Sequence, residues 1–131
     1  MSTDVAVKTP VLVIEDEPSV LSFVKAALER AGYSVAPVAT GAEALTKLKS
    51  DNYLGVVSDM RTPGGVDGAD VHAWISANKP ELSSRVIFIT GDIVNDETAA
   101  TLRRTGAPCV EKPFRVRQLL EIVKRVFGNP Q

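Results

Sequence analysis

Leu54-Gly55-Val56-Val57-Ser58-Asp59-Met60-Arg61-Thr62-Pro63-Gly64-Gly65-Val66-Asp67-Gly68 is the stretch that decides the fold. An apolar run carries a carboxylate at its end and then breaks into a loop rich in Pro and Gly. That pattern reads as a buried strand delivering Asp59 to a turn. The same punctuation recurs. Val11-Leu12-Val13-Ile14 ends in Glu15-Asp16-Glu17, Val86-Ile87-Phe88-Ile89 ends in Thr90, and Cys109-Val110 leads through Glu111 to Lys112-Pro113. Open α/β sheets bind ligands just beyond the carboxyl ends of their strands, so groups spread over about 100 positions can converge on one pocket. Carboxylates, a hydroxyl and an ammonium meeting there suit a phosphate and a divalent metal.

Between these strands the chain reads as helix. Pro18 fits a first helical turn, where its missing N–H is no loss. Val20, Val24, Ala27, Leu28 and Ala31 then form one stripe that stops at Gly32. Residues 33–38 predict a short strand, and Thr40 an N-cap for a helix carrying Ala44, Leu45 and Leu48. Residues 52–58 predict the third strand. A helix from about Gly68 buries Val71, Trp74 and Ile75 and ends before Pro80. Asp96 or Thr98 opens the next helix, which stops at Gly106. Residues 108–111 are the last strand, and the final helix carries Val116, Leu119, Leu120, Val123, Val126 and Phe127. Five strand–helix alternations predict a parallel sheet sandwiched between helices, because right-handed crossovers leave few other topologies.

Length and composition bound the function. A chain of 131 residues with 44% apolar content suits a single core. Residues 1–10 read as an N-terminal tail, 11–128 as the domain and 129–131 as a C-terminal tail. Lys plus Arg (15) nearly balance Asp plus Glu (16), which argues against nonspecific binding of nucleic acid or a membrane surface. One cysteine excludes an intrachain disulfide and a Cys-rich zinc site. Residues 1–10 lack an apolar core and read as neither secretory signal nor transit peptide. No run reaches the length of a membrane span. The compartment these features predict is the cytoplasm.

Glu15, Asp16 and Asp59 carry three negative charges against the one positive charge of Lys112. Crowded carboxylates raise one another's pKa unless a cation joins them. Hard oxygen ligands favour Mg²⁺, which takes one or two carboxylates, waters and a phosphate oxygen. The Arg61 carbonyl, in the loop after Asp59, can complete that shell. Glu17 reads as a favourable charge at a helix N-terminus, a role also open to Glu15. Asp59 serves either as a metal ligand alone or also as a nucleophile forming an acyl phosphate. Thr90 directs its hydroxyl into the cleft unless it is there only for β propensity. A cis Lys112-Pro113 bond would turn the chain sharply and aim the ammonium inward. His72 falls on the polar side of its helix and is expected to be exposed. Trp74 and Cys109 are expected in the core. Arg103, Arg104, Arg115, Arg117, Lys124 and Arg125 give the last two long helices a basic outer face.

These motifs resemble the response-regulator receiver domains of two-component signalling. The residues that carry the resemblance are Val11-Leu12-Val13-Ile14-Glu15-Asp16-Glu17-Pro18, the Ser58 to Gly68 stretch, Phe88-Ile89-Thr90-Gly91 and Glu111-Lys112-Pro113-Phe114. The resemblance implies a flavodoxin-like (βα)5 three-layer sandwich with strand order 2-1-3-4-5. It further implies that Asp59 takes a phosphoryl group from a phosphohistidine of a histidine kinase or histidine phosphotransfer protein. Mg²⁺ would be held by Glu15, Asp16, Asp59 and the Arg61 carbonyl, with Thr90 and Lys112 on the phosphoryl oxygens. Such domains are not conventional enzymes, although they catalyse their own phosphorylation and slow hydrolysis, here with Arg61 and Asp92 flanking the water's path. The added charge shifts a two-state equilibrium in the last two long helices and the strand between them, and a phosphorylation-dependent homodimer through those helices is expected.

The chain departs from that pattern at four places. Glu15 is longer than the aspartate more often present, Thr62 replaces a methionine before Pro63, and Gly64-Gly65 lengthens the loop by one residue. Cys109 stands where many receivers carry an aromatic residue that swings inward, a movement a thiol cannot report. The loop and Thr105-Gly106-Ala107-Pro108-Cys109-Val110-Glu111-Lys112-Pro113 resemble receivers of hybrid histidine kinases. Two rivals remain. A haloacid-dehalogenase-type enzyme needs a second Asp two positions after the nucleophile, where this chain has Arg61. A pseudo-receiver, a protein-interaction module that is not phosphorylated, would not need Asp59, Asp16, Thr90 and Lys112 together.

Overall fold

Alternation in β1 (Val11–Ile14) sets up the core. All four residues are buried, Val11 and Val13 in one apolar cluster and Leu12 and Ile14 in another, because successive side chains of a strand leave on opposite faces. A sheet of such strands must be covered on both sides. The computed structural model describes residues 9–91 and 95–130 and shows this cover. β1, β2 (Val35–Val38), β3 (Gly55–Asp59), β4 (Val86–Thr90) and β5 (Cys109–Glu111) pair in parallel in the order β2-β1-β3-β4-β5. The flavodoxin-like order expected from the resemblance is the one observed.

The helices divide between the two faces. α1 (Pro18–Arg30) and α6 (Val116–Phe127) bury Val24, Ala27 and Leu28, and Leu119, Val123 and Phe127, against Val11, Val13, Val57 and Ile87. On the other face α2 (Gly41–Ser50), α3 (Gly68–Asn78) and α4 (Pro80–Ser83) bury Ala44 and Leu48, Val71 and Ile75, and Leu82 against Leu12, Ile14, Val56 and Phe88. α5 (Asp96–Thr105) adds the partly buried Leu102 to that cluster. Thr40 caps α2 by accepting the Glu43 N–H at 3.1 Å, as its position predicts. No helix among the described residues is long and apolar enough to cross a membrane.

Several elements differ from expectation. β2 and β3 are shorter at their starts than 33–38 and 52–58, and β3 includes Asp59. α4 lies beyond the expected end of α3 at Pro80, with that proline in its first turn. Asn95 caps α5, one residue before the expected Asp96. Cys109 begins β5 rather than sitting inside it, and it is half-buried. Burial, followed by the charge of Glu111, pushes its thiol up to about 11. Trp74 packs partly buried at the edge of its cluster. The expectation that His72 is exposed is wrong: it is 7% exposed. Residues of α4 and of the end of α5 flank that side of α3, and its ring lies 5.9 Å from that of Phe88.

Register positions the strand ends. Ile14 pairs with Ser58, which brings Glu15 level with Asp59. Asp59 pairs with Ile89, one residue before Thr90, and Thr90 pairs with Glu111, one residue before Lys112. Four chain segments thereby end on one rim.

Candidate functional site

Glu15 follows β1 directly, anchored by its N–H to the Val38 carbonyl at 3.1 Å. It is 1% exposed. Its Oε2 accepts the Glu17 N–H at 3.1 Å, while Oε1 is buried without a hydrogen bond. The Lys112 ammonium lies 3.2 Å from Oε1, close enough for an ion pair but outside hydrogen-bond geometry. Burial holds the Glu15 carboxyl above its ordinary range, and the Asp59 charge adds to this. The Glu17 N–H and Lys112 oppose it.

Asp59 is the last residue of β3 and is 8% exposed. Its Oδ1 accepts the Arg61 N–H at 3.3 Å and its Oδ2 accepts from Lys112 Nζ at 3.2 Å. Burial pulls the pKa of Lys112 down, but the carboxylates of Asp59 and Glu15 overcome it and leave the ammonium above its ordinary value. The Lys112 N–H donates to the Thr90 carbonyl at 2.8 Å, and the Lys112-Pro113 bond is cis, as expected. Thr90 is buried at the end of β4.

The loop after Asp59 is built to return quickly to α3. The Met60 carbonyl accepts the Gly68 N–H at 3.0 Å. A Cβ on Gly68 would stand 2.7 Å from the Asp59 carbonyl oxygen, so only glycine permits this approach. Gly64 and Gly65 take φ of +87° and +82°, the left-handed region that favours glycine. Asp67 closes the turn with a capping box, exchanging 3.0 Å hydrogen bonds with Asp70. The Thr62 hydroxyl donates to the Val66 carbonyl.

One carboxylate oxygen from each of Glu15, Asp16 and Asp59 lies within 4.8 Å of the others. Glu15 and Asp59 are buried and Asp16 is exposed. A small cation fits this cluster chemically. The donors are all hard oxygens, they outnumber the nearby positive charge, and Glu15 Oε1 has an unused acceptor site. The structure thus brings together Glu15, Asp16, Asp59 and Lys112, with Thr90 and Arg61 at the same rim. Asp92 lies outside the described residues.

Two features escaped sequence reasoning. Glu17 Oε1 stands 3.8 Å from Lys112 Nζ, an exposed third carboxylate on the same ammonium. Beside Lys112, an apolar groove of about 540 Å³ is lined by Ser19, Val20, Phe23, Gly91, Pro113 and Phe114. Phe23 is 40% exposed and meets Phe114 edge-on at 5.8 Å. The available signal was an aromatic residue off the buried stripe of α1.

The chain is similar to known proteins in sequence and in fold. The model of the response regulator receiver domain matches residues 11–124. The chain is 32% identical over 116 residues to the C4-dicarboxylate transport transcriptional regulatory protein DctD of Rhizobium meliloti, covering 88% of this chain and 24% of that protein. It is 27% identical over 117 residues to the response regulator receiver protein CpdR of Brucella abortus, covering 89% and 95%. The chain therefore spans about a quarter of the first relative and nearly all of the second. The crystallised receiver domain of sensor histidine kinase PA1611 of Pseudomonas aeruginosa, with magnesium coordinated in its active site cleft, superimposes with a TM-score of 0.82. It is 25% identical, with 94% of this chain and 100% of that one covered. Family match, sheet order and rim agree, and the chain belongs to the response regulator receiver domains.

Proposed function

We propose that Asp59 is the phosphoacceptor and that the rim around it is the phosphoryl-transfer site. Receiver domains are signalling modules that interact with histidine kinases or phosphotransfer proteins and bind Mg²⁺ in the active site. The observation that carries the reading is the Lys112 ammonium held 3.2 Å from Asp59 Oδ2, with two further carboxylates gathered beside it. A carboxylate attacking phosphorus needs its own charge tolerated and the phosphoryl oxygens neutralised, and this rim supplies both kinds of group.

In the proposed transfer, an Asp59 oxygen forms a bond to phosphorus as the phosphorus–nitrogen bond to the donor histidine breaks. Lys112 and the Thr90 hydroxyl take the phosphoryl oxygens. Glu15, Asp16, Asp59 and the Arg61 carbonyl would hold Mg²⁺, which supplies charge neutralisation to the phosphoryl group. Self-catalysed phosphorylation from a small phosphodonor and slow hydrolysis follow from the same residues. The added charge draws the Thr90 hydroxyl toward Asp59 and transfers the Lys112 ammonium from the Asp59 carboxylate to the phosphoryl oxygens. β5 pairs with β4 at Thr90 and leads through Lys112 to α6, and these elements, with α5, read out the change. The six basic residues named above, five in α5 and α6 and Arg115 at the N-cap of α6, are exposed, and a two-fold phosphorylated dimer would use that surface.

Incubation with acetyl phosphate and Mg²⁺, followed by intact mass measurement, tests the assignment. The expected result is one phosphoryl adduct that is absent without Mg²⁺ and absent in Asp59→Asn. No adduct in the wild type would support an interaction module instead, and an adduct retained in Asp59→Asn would move the acceptor elsewhere.

A further inference from the structure

Glu17 holds a carboxylate at the Asp59 rim that neither helix capping nor ion pairing explains. It is the N-cap of α1, yet its side chain forms no capping hydrogen bond. Its Oε1 stands instead 3.8 Å from Lys112 Nζ, and its side chain is 61% exposed. That distance is too long for a hydrogen bond, and an ion pair so open to water adds little stability. The main-chain N–H of Glu17 fixes its place by donating to Glu15 Oε2 at 3.1 Å. The Lys112 ammonium already has Asp59 Oδ2 and Glu15 Oε1 at 3.2 Å each, and both of those residues are buried. Glu17 is therefore the solvent-side member of three carboxylates around one ammonium.

What Glu17 adds in that position is charge at the entrance. A phosphoryl group arriving from solvent must pass this carboxylate to reach Lys112 and Asp59. Asp16, also exposed, adds to the same field, and the exposed Arg61 opposes it. Like charges within a Debye length repel, in proportion to the charge of the arriving group.

Resting on the reading of Asp59 as phosphoacceptor, we propose that Glu17 selects among phosphodonors, disfavouring free dianionic acyl phosphates relative to donors of lower charge. The chemical step is unchanged. With acetyl phosphate, an Asp59 oxygen bonds to phosphorus while the acyl oxygen–phosphorus bond breaks and acetate leaves with its electron pair. Glu17 takes no part in that exchange and determines specificity on approach alone.

Rates of Asp59 adduct formation with acetyl phosphate, a dianion, and phosphoramidate, a monoanion at neutral pH, test this at saturating Mg²⁺. With acetyl phosphate at low ionic strength, Glu17→Gln is expected to react about threefold faster than wild type and Glu17→Lys about tenfold faster. With phosphoramidate, Glu17→Gln should gain less than about twofold, and about 0.5 M salt should abolish every gain. Glu29→Gln, the same charge change about 18 Å further along α1, should leave both rates unchanged. The same field acts with opposite sign on a dication, so calorimetry should show Mg²⁺ binding about threefold weaker in Glu17→Gln. Equal gains for the two donors would mean that Glu17 acts by holding Lys112 and would overturn the proposal. Unchanged rates, a gain that survives salt, a matching gain in Glu29→Gln, or an unmoved Mg²⁺ affinity would overturn it too. Absence of an Asp59 adduct in wild type would remove the phosphoacceptor reading and this proposal together, whereas a normal wild-type adduct with unchanged Glu17→Gln rates would remove this proposal alone.

Discussion

Replacing Lys112 with methionine keeps most of the side chain's apolar stem and removes its charge, so the effect isolates the ammonium. Lys112 Nζ stands 3.2 Å from both Glu15 Oε1 and Asp59 Oδ2. At an effective dielectric constant of about 20, each contact at that distance is worth about 5 kcal/mol of direct attraction. Burial of the ammonium offsets much of this. Removing one partner of a buried ion pair usually costs about 3–5 kcal/mol. Because the Lys112 side chain is 22% exposed, the lower end, about 3 kcal/mol, applies. For a domain of this size that is a fall in Tm of about 10 °C.

The pH dependence separates charge from packing. Glu15 has a folded pKa raised above its ordinary 4.5, so its contribution to stability is fully present below that value and is lost as pH rises through the folded value. Lys112 opposes that rise. Without it the Glu15 pKa climbs further, and the variant loses more stability than wild type on passing to neutral pH. The Lys112 contribution itself, from a folded pKa raised above 10.5, is fully present below that value and disappears as pH rises through the folded one. Metal-free thermal melts at about pH 4 and about pH 7 should therefore show a reduced gap at the lower value, where the Glu15 contact is lost and the Asp59 contact remains, and the full gap at the higher. Mg²⁺ should raise the Tm of the variant more than that of wild type, since it meets the same unpaired carboxylates. An equal gap at both pH values would mean that lost packing, not charge, causes the effect, and no gap at neutral pH would refute the electrostatic account.

Other expected outcomes are equally specific. Gly68→Ala puts a Cβ 2.7 Å from the Asp59 carbonyl oxygen and 3.0 Å from Phe88 Cε1, so denaturant melts should show a loss of about 2 kcal/mol, with slower adduct formation from acetyl phosphate. Glu15→Gln removes a buried, mutually repelling charge: calorimetry should show Mg²⁺ binding roughly tenfold weaker, while metal-free stability at neutral pH rises. Phe23→Ser alters the exposed wall of the apolar groove beside Lys112, and should slow transfer from a histidine phosphotransfer protein while leaving the acetyl phosphate reaction unchanged.

The strands whose identity rests on a single pattern were legible in the sequence. Val11–Ile14 and Val86–Thr90 are apolar at nearly every position because helices cover both faces, and each stops at a polar residue. β2 was less so, since an edge strand interrupted by Pro37 carries little pattern. The four residues of α4 are too few to show a helical period. That short helix, with the end of α5, is what buries His72, so reading α3 alone gave the wrong exposure. At the site, Glu15, Asp16, Asp59 and Lys112 could be nominated because strand ends in a parallel sheet share a rim. The Glu17–Lys112 pair and the Phe23–Phe114 contact depend on side-chain directions from separate segments, which no local pattern encodes.

The most direct test is a crystal structure grown with Mg²⁺ and beryllium fluoride, a mimic of the phosphoryl group. The account predicts one cation bound by Glu15, Asp16, Asp59 and the Arg61 carbonyl, a beryllium fluoride joined to an Asp59 carboxylate oxygen, and Thr90 and Lys112 touching its fluorines. A cation bound away from these carboxylates, or a fluoride adduct on any other residue, would contradict it.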